Sequence, residues 1–224
     1  MSGPRPFVDY EQAADRYDAG RSLEDDTLES WRRAIAARVT PAGRTVLDLG
    51  AGTGIFARAW IAWGAREVIA VEPSAAMREQ AAARPGRGIR VMDGSAHELP
   101  AEASAIDVVW MSAVLHHVQD LDRCALEIRR VLRAGGHLLI RGYLPDRSRV
   151  PWLVRQVDAV EVPEPRRHSR GEAAAWIDRM RGADSLLTVL TPTEIDEGIA
   201  ALREEPAELL PPLELTLLTF SAPA

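Results

Sequence analysis

The sequence predicts an α/β fold: a mostly parallel sheet with helices on both faces and a final antiparallel strand. Three observations carry that expectation. Between residues 44 and 143, β-favouring runs alternate with helix-periodic runs, the pattern of βα units wound with one hand. The run Val46-Leu47-Asp48-Leu49 passes directly into Gly50-Ala51-Gly52-Thr53-Gly54 and then Ile55-Phe56-Ala57-Arg58. That is a strand, a glycine turn and a helix start, the layout of a nucleotide cradle. The third observation is Ile106-Asp107-Val108-Val109-Trp110-Met111, a near-continuous apolar run that reads as a strand covered on both faces.

Composition bounds the rest. A chain of 224 residues, 46% hydrophobic and 27% charged, suits one domain, 1–224, with a sizeable core. Within it, residues 1–40 read as an N-terminal helical lid, 41–143 as a ligand-binding core, and 144–224 as a shortened substrate-side region with the last strand. The formal charge of −6 argues against nucleic acid or an acidic membrane surface as partner. No apolar run approaches a membrane span, and Met1-Ser2-Gly3-Pro4-Arg5 lacks a signal-peptide core. The expected location is the cytoplasm. The single cysteine, Cys124, rules out an internal disulfide and fits a reducing compartment. All 27 basic residues are arginine, which reads as the codon bias of a GC-rich genome. Without lysine there is no phosphate-loop amine and no Schiff base on a side chain. No Cys/His pair or spaced His/Asp cluster suggests a metal.

Taken in order, residues 1–20 carry Phe7, Tyr10 and Tyr17 among charges, and Gly20 stops any preceding helix. Leu28, Trp31, Ile35 and Val39 recur at helical spacing up to Pro41, so a helix covers about 24–39. Strand 1 (about 44–49) leads through the glycine turn to a helix from Ile55 to Gly64, with Trp60 and Trp63 wedged against neighbours. Strand 2 is 67–71, and Ser74 beyond it is suited to cap the next helix. Strand 3 is 89–92, followed by Asp93-Gly94-Ser95 and a surface loop with His97. After strand 4 (106–111), Leu121, Cys124, Ile128 and Val131 or Leu132 form a helix stripe stopped by Gly135-Gly136. Strand 5 is 137–143.

Only Leu144 to about Trp152 then separates strand 5 from Val154, Val157, Val160 and Val162. A parallel crossover needs about a dozen residues. Either Pro151–Val160 is itself the crossover helix, or the sheet is abbreviated; the three-residue spacing of the valines favours the helix. Residues 170–181 and 193–203 read as two further helices, and 213–220 as the final antiparallel strand.

Asp48-Leu49-Gly50-Ala51-Gly52-Thr53-Gly54 resembles motif I of the class I S-adenosylmethionine-dependent methyltransferases, acid-x-Gly-x-Gly-x-Gly. Leu115-His116-His117-Val118 after strand 4 resembles the methyltransferase type 11 and ubiquinone-biosynthesis-like groups, and the resemblance covers about 7–143. A nicotinamide loop would want its third glycine where Ile55 stands. The resemblance implies a Rossmann-like methyltransferase sheet, S-adenosylmethionine as donor and S-adenosylhomocysteine as product. It implies donor contacts at Asp48, at Gly50, Ala51, Gly52 and Gly54 of the turn, and at Met111 and Ser112 ending strand 4. Glu72, with Pro73, lies about 20 residues beyond the turn, where an acid takes the ribose hydroxyls, although a helix cap is the alternative. Asp93, Gly94 and Ser95 hold the position for the adenine amine. Met77 packs on the adenine or simply in the core. Tyr17 and Arg21 belong to a segment that folds over the donor's methionine end, where an arginine could pair with the carboxylate.

Methyl transfer from a sulfonium depends on alignment and exclusion of water. A phenol, amine or acidic carbon as acceptor also benefits from a base. His116 and His117 are the candidates, with helix capping or donor contact as the other reading. The expected function is methyl transfer to a small molecule, a bacterial secondary metabolite on compositional grounds. The rivals are a donor-binding protein that transfers nothing, serves as a partner subunit or catalyses another reaction, transfer to a protein N-terminus, and a nicotinamide-dependent oxidoreductase. A bared sheet edge or an apolar pocket rim is compatible with a homodimer.

Overall fold

The computed structural model describes residues 23–84, 86–142, 158–163, 165, 167–181, 184, 187, 190–211 and 214–222. Helix α1 is Asp25–Ala36, β1 Thr45–Leu49, α2 Ile55–Ala62, β2 Glu67–Val71, α3 Ala75–Ala83 and β3 Ile89–Met92. Then come β4 Ile106–Ser112, α4 Leu121–Val131, β5 Leu132–Gly142, β6 Asp158–Pro163, α5 Arg170–Arg179, α6 Pro192–Glu204 and β7 Glu214–Ser221. The strands form one seven-stranded sheet in the order β3-β2-β1-β4-β5-β7-β6. Strands β1 to β5 pair in parallel, and β7 enters antiparallel between β5 and β6.

Each face of the sheet has its own core. On one, α1 and α2 press Trp31, Ile35, Phe56 and Trp60 onto Val46, Val68, Val108, Trp110 and Leu139. Trp110 is the hub: its ring lies 4.9 Å from Phe56, 5.9 Å from Trp60 and 6.2 Å from Trp31, centroid to centroid. These are tilted and edge-on arrangements, which suit the ring quadrupoles. On the other face α4 packs Cys124, Ile128 and Val131 against Leu47, Ile69, Val109, Met111 and Ile140. Strand 4 feeds both cores, which is why its sequence does not alternate. Its one acid, Asp107, is buried, and its carboxylate accepts from the Thr45 N–H at 2.7 Å and pairs with Arg44 and Arg133.

The C-terminal region corrects the sequence reading. Residues 158–160 lie in strand β6, not in a crossover helix, and the sheet is complete rather than abbreviated. Val160 and Val162 fit a two-residue period as well as a longer one, and pairing with β7 decides the matter. The edge strand ends at Pro163, where a missing N–H interrupts no ladder. Residues 143–157 and the aromatic N-terminus, 1–22, lie outside the described residues.

Two boundaries also move. Helix α4 ends at Val131 and β5 begins immediately, with Gly135 at φ 69° absorbing the register shift against β4. Leu121, expected on the buried stripe, is 54% exposed. It starts α4 next to the capping Asp120, whose side chain accepts from the Arg123 N–H. The two late helices carry complete capping boxes, Ser169 with Glu172 and Thr191 with Glu194. No helix among the described residues is long and apolar enough to cross a membrane.

The division of α4 into a buried and an exposed side gives a test. Ile128, 6% exposed, should lose about 2–4 kcal/mol of stability on change to Ala. Leu126→Ser, at a position 68% exposed, should stay within about 0.5 kcal/mol. Urea midpoints at unchanged slope measure both.

Candidate functional site

Parallel strands leave their ligand-binding crevice at the carboxyl ends, and the glycine turn lies there. Gly50 follows β1 at φ 70°, and its N–H is held by the Val71 carbonyl of β2 at 2.8 Å. A Cβ on Gly50 would stand 2.4 Å from Cγ2 of Val114, so glycine is required by backbone angle and by space together. The Ala51 N–H also reaches the Val71 carbonyl, at 3.1 Å. Gly52 is at φ 55°, and Gly54, at φ 77°, opens α2 from the left-handed region.

Two acids meet under this turn. Asp48 lies within β1 and is 1% exposed; Glu72 follows β2 and is 7% exposed. One Glu72 oxygen accepts the Gly52 N–H at 2.9 Å, and the other accepts the Ser74 N–H at 3.0 Å. Glu72 therefore ties the turn to the start of α3, which Ser74 caps through the Met77 N–H. The cap expected at this point is Ser74, while Glu72 bridges two loops. For Asp48, burial first and the Glu72 charge second push the carboxyl up to about 7, with a hydrogen bond from the Ala57 N–H acting the other way. Its Oδ2 is buried without a hydrogen-bond partner.

The other expected residues gather at the same sheet end with different surroundings. Asp93 follows β3 and is exposed, its carboxylate 2.9 Å from Arg78. Arg78 also donates to the carbonyls of Glu72 and Pro73 at 2.8 and 2.7 Å, so one arginine links the second and third strand ends. Gly94 and Ser95 follow Asp93, with Gly94 close to Val71 and Pro100. Met77 is 1% exposed and packs inside the protein. The Met111 side chain belongs to the α4-side core, so only its main chain can face the strand ends. Ser112 ends β4, and its hydroxyl accepts from Arg141 at 3.2 Å. His116 and His117 sit in a short 3-10 turn, Leu115–His117, with ring centroids 4.0 Å apart. His97 is half-buried rather than a surface residue; its Nε2 accepts from the Asp120 N–H at 3.3 Å. Tyr17 and Arg21 lie outside the described residues.

Three residues escaped the sequence reading. Ala113 takes a left-handed φ of 56° and donates its N–H to the Arg141 carbonyl at 2.8 Å. That turn lays Val114 over Gly50 and leads on to the histidines. Arg141 is itself buried at the end of β5. An arginine inside an otherwise apolar strand was the visible signal. A cleft of about 280 Å³ lined by Thr45, Arg66, Glu67 and Arg90 opens at the opposite, amino ends of the strands. Its arginines are engaged with Thr45 and Glu67.

Comparison with known proteins agrees with this geometry. Residues 47–140 match the methyltransferase domain family. The chain is 35% identical over 189 residues to a demethylmenaquinone methyltransferase of Thermobifida fusca, covering 76% of this chain and 79% of that one. Its fold is that of a phosphoethanolamine N-methyltransferase 2 from Haemonchus contortus, solved with S-adenosylhomocysteine. There the TM-score is 0.60 at 15% identity, over 100% of this chain and 61% of that one. The (4+2)-cyclase SpnF shares the fold at a TM-score of 0.63 and 17% identity, over 100% of both chains.

Two outcomes follow from the turn. A carboxyl at 3.8 when unfolded and about 7 when folded means the folded chain holds the extra proton between those values. Stability should fall as pH rises through that window and level off above it, by roughly 4 kcal/mol in all. Asp48→Asn should remove that slope, read as the difference between wild-type and variant denaturation midpoints from pH 4 to 8. Gly50→Ala should cost about 1–3 kcal/mol, part of it recovered by adding Val114→Ala in the same denaturation assay.

Proposed function

We propose, for a chain that belongs to the class I S-adenosylmethionine-dependent methyltransferases, that the site at its strand ends passes the donor's methyl group to a small molecule. The acceptor class we favour is a bacterial secondary metabolite. The observation that carries the reading is the acid pair under the glycine turn. Burial and the Glu72 charge raise the cost of ionising Asp48, so the pair favours a cationic ligand and disfavours the pyrophosphate of a dinucleotide. The donor is a cation.

The residues suit the donor piece by piece. Each Glu72 oxygen is oriented by a main-chain N–H, and a carboxylate oxygen can accept a second hydrogen bond. Glu72 thus takes the paired ribose hydroxyls, next to Pro73. Asp48, with its partnerless buried oxygen, faces the positive end of the donor. The main chain of Gly50, Ala51, Gly52 and Gly54 gives the approach that a Cβ would block. Asp93, Gly94 and Ser95 take the adenine amine, while Met77 supports that wall from within. Met111 and Ser112 border the far side through main chain and hydroxyl. When bound, the donor supplies a methyl group already activated on sulfur.

The chain's own work is then alignment and exclusion of water. Val114 closes over the turn, while α1 is packed into the core beside it, with Trp31 and Ile35 fully buried. His116 or His117 removes a proton from an acceptor whose nucleophile needs it; their shared turn after β4 supports this role.

Calorimetry with S-adenosylhomocysteine tests the donor reading. Wild type should bind it and ignore NAD, while Glu72→Gln should weaken binding roughly 10- to 100-fold, measured at a temperature where the variant stays folded, since its amide nitrogen cannot accept from the Gly52 or Ser74 N–H. Binding of NAD alone, or full affinity in the variant, would sink the assignment of Glu72 and the turn.

A further inference from the structure

Arg141 is a charge in a place built for apolar side chains. It lies near the end of β5, opposite Ser112 at the end of β4, and is 9% exposed. Leu139, two residues earlier on the same face, is fully buried in the α1-side core. A guanidinium stays protonated at any working pH, and setting one into such surroundings is costly.

What surrounds the guanidinium explains how it is held. Its carbon stands 5.0 Å from the Trp31 ring centroid and 5.5 Å from that of Phe56. Stacking against rings from α1 and α2 fixes the plane of the group and leaves its N–H donors pointing along that plane. One of them reaches the Ser112 hydroxyl. The Arg141 carbonyl also holds the Ala113 N–H, and so anchors the turn that carries Val114 over Gly50 and leads to the histidines. The residue thus joins the aromatic wall, the end of β4 and the loop over the glycine turn. A planar fork held this way matches two oxygens of a carboxylate better than any other common group.

We propose that Arg141 is the oxyanion anchor of the site, binding a carboxylate-type group on a ligand at the strand ends. The proposal rests on the donor-and-acceptor reading above and adds the charge of what is bound. Two ligands can bring that group: the amino-acid end of the donor, or an acidic acceptor at the ends of β4 and β5. In the second case Arg141 selects acceptors by charge and sets them beside the histidine turn.

Calorimetry on the full chain separates the sources. The probes are S-adenosylhomocysteine and 5′-methylthioadenosine, which lacks the amino-acid end, then 4-hydroxybenzoate and its uncharged amide with S-adenosylhomocysteine present. Arg141→Met should lose at least about tenfold in affinity for one carboxylate probe while its uncharged counterpart is unaffected. Loss on the homocysteine side assigns the donor's carboxylate; loss on the benzoate side assigns an acidic acceptor. Arg141→Lys, which keeps the charge but not the fork, should fall between, and it carries the test if the Met variant does not fold. Unchanged affinities in both pairs would overturn the anchor. Failure of wild type to bind either nucleoside would instead overturn the donor reading beneath it.

Discussion

Two carboxylates buried side by side under a glycine turn set the terms for the rest of this molecule. Asp48 and Glu72 come from neighbouring parallel strands, whose registry brings Asp48 opposite Ala70 and sets the Glu72 position just past the pair Leu49 and Val71. Neither acid could remain there in an apolar interior alone. Main-chain N–H groups of Gly52, Ser74 and Ala57 make the arrangement tenable, and the Gly52 N–H is aimed by a turn that passes through left-handed angles. The two apolar cores above and below the sheet hold the strand ends still enough for that aim to persist. Repulsion between the acids is the part of the arrangement that folding alone does not require, and the proposed preference for a positively charged ligand rests on it.

The local chemistry of this arrangement is written in short stretches of sequence, and those stretches were legible. A run of apolar residues ending in an acid and three spaced glycines leaves little conformational choice. Strands β2 and β3 also fall at their expected residues, since both are short apolar runs bounded by charge, glycine or proline. Asp48, Glu72 and Asp93 all end up at neighbouring strand ends. Their environments were not legible. That Glu72 is gripped by Gly52 while Asp93 stands in solvent holding Arg78 depends on where α3 lies, and nothing within a few residues of either acid encodes it.

The misreadings have physical origins. Residues 158–160 have no strong preference of their own; a strand forms there because β7 presents an unpaired edge, and β7 arrives from some fifty residues away. Leu121 looks like a core position by spacing, yet the first turn of α4 overhangs the sheet and leaves it in water. Ala113 could not be singled out, because a left-handed alanine is held by a tertiary contact, here the Arg141 carbonyl. For residues 158–160 and for Ala113 a long-range partner outweighs local pattern. The β1 turn was readable because its partners are its own backbone and the next strand.

The late strands also matter for chemistry. Strand β7 pairs with β5 from His137↔Ser221 to Gly142↔Thr216, so β5 is held from both sides up to its carboxyl end. A strand held on one side only would let Arg141 drift, and its stacking on Trp31 and Phe56 would then be a loose contact rather than an orientation. The same pairing keeps the Arg141 carbonyl at the distance that fixes Ala113 and, through it, the cover over Gly50. The C-terminal third of the chain contributes few candidate catalytic groups, but it makes the β4 and β5 ends rigid. That pairing holds Arg141 and the turn carrying His116 and His117 at adjacent strand ends, the geometry on which both proposed roles depend.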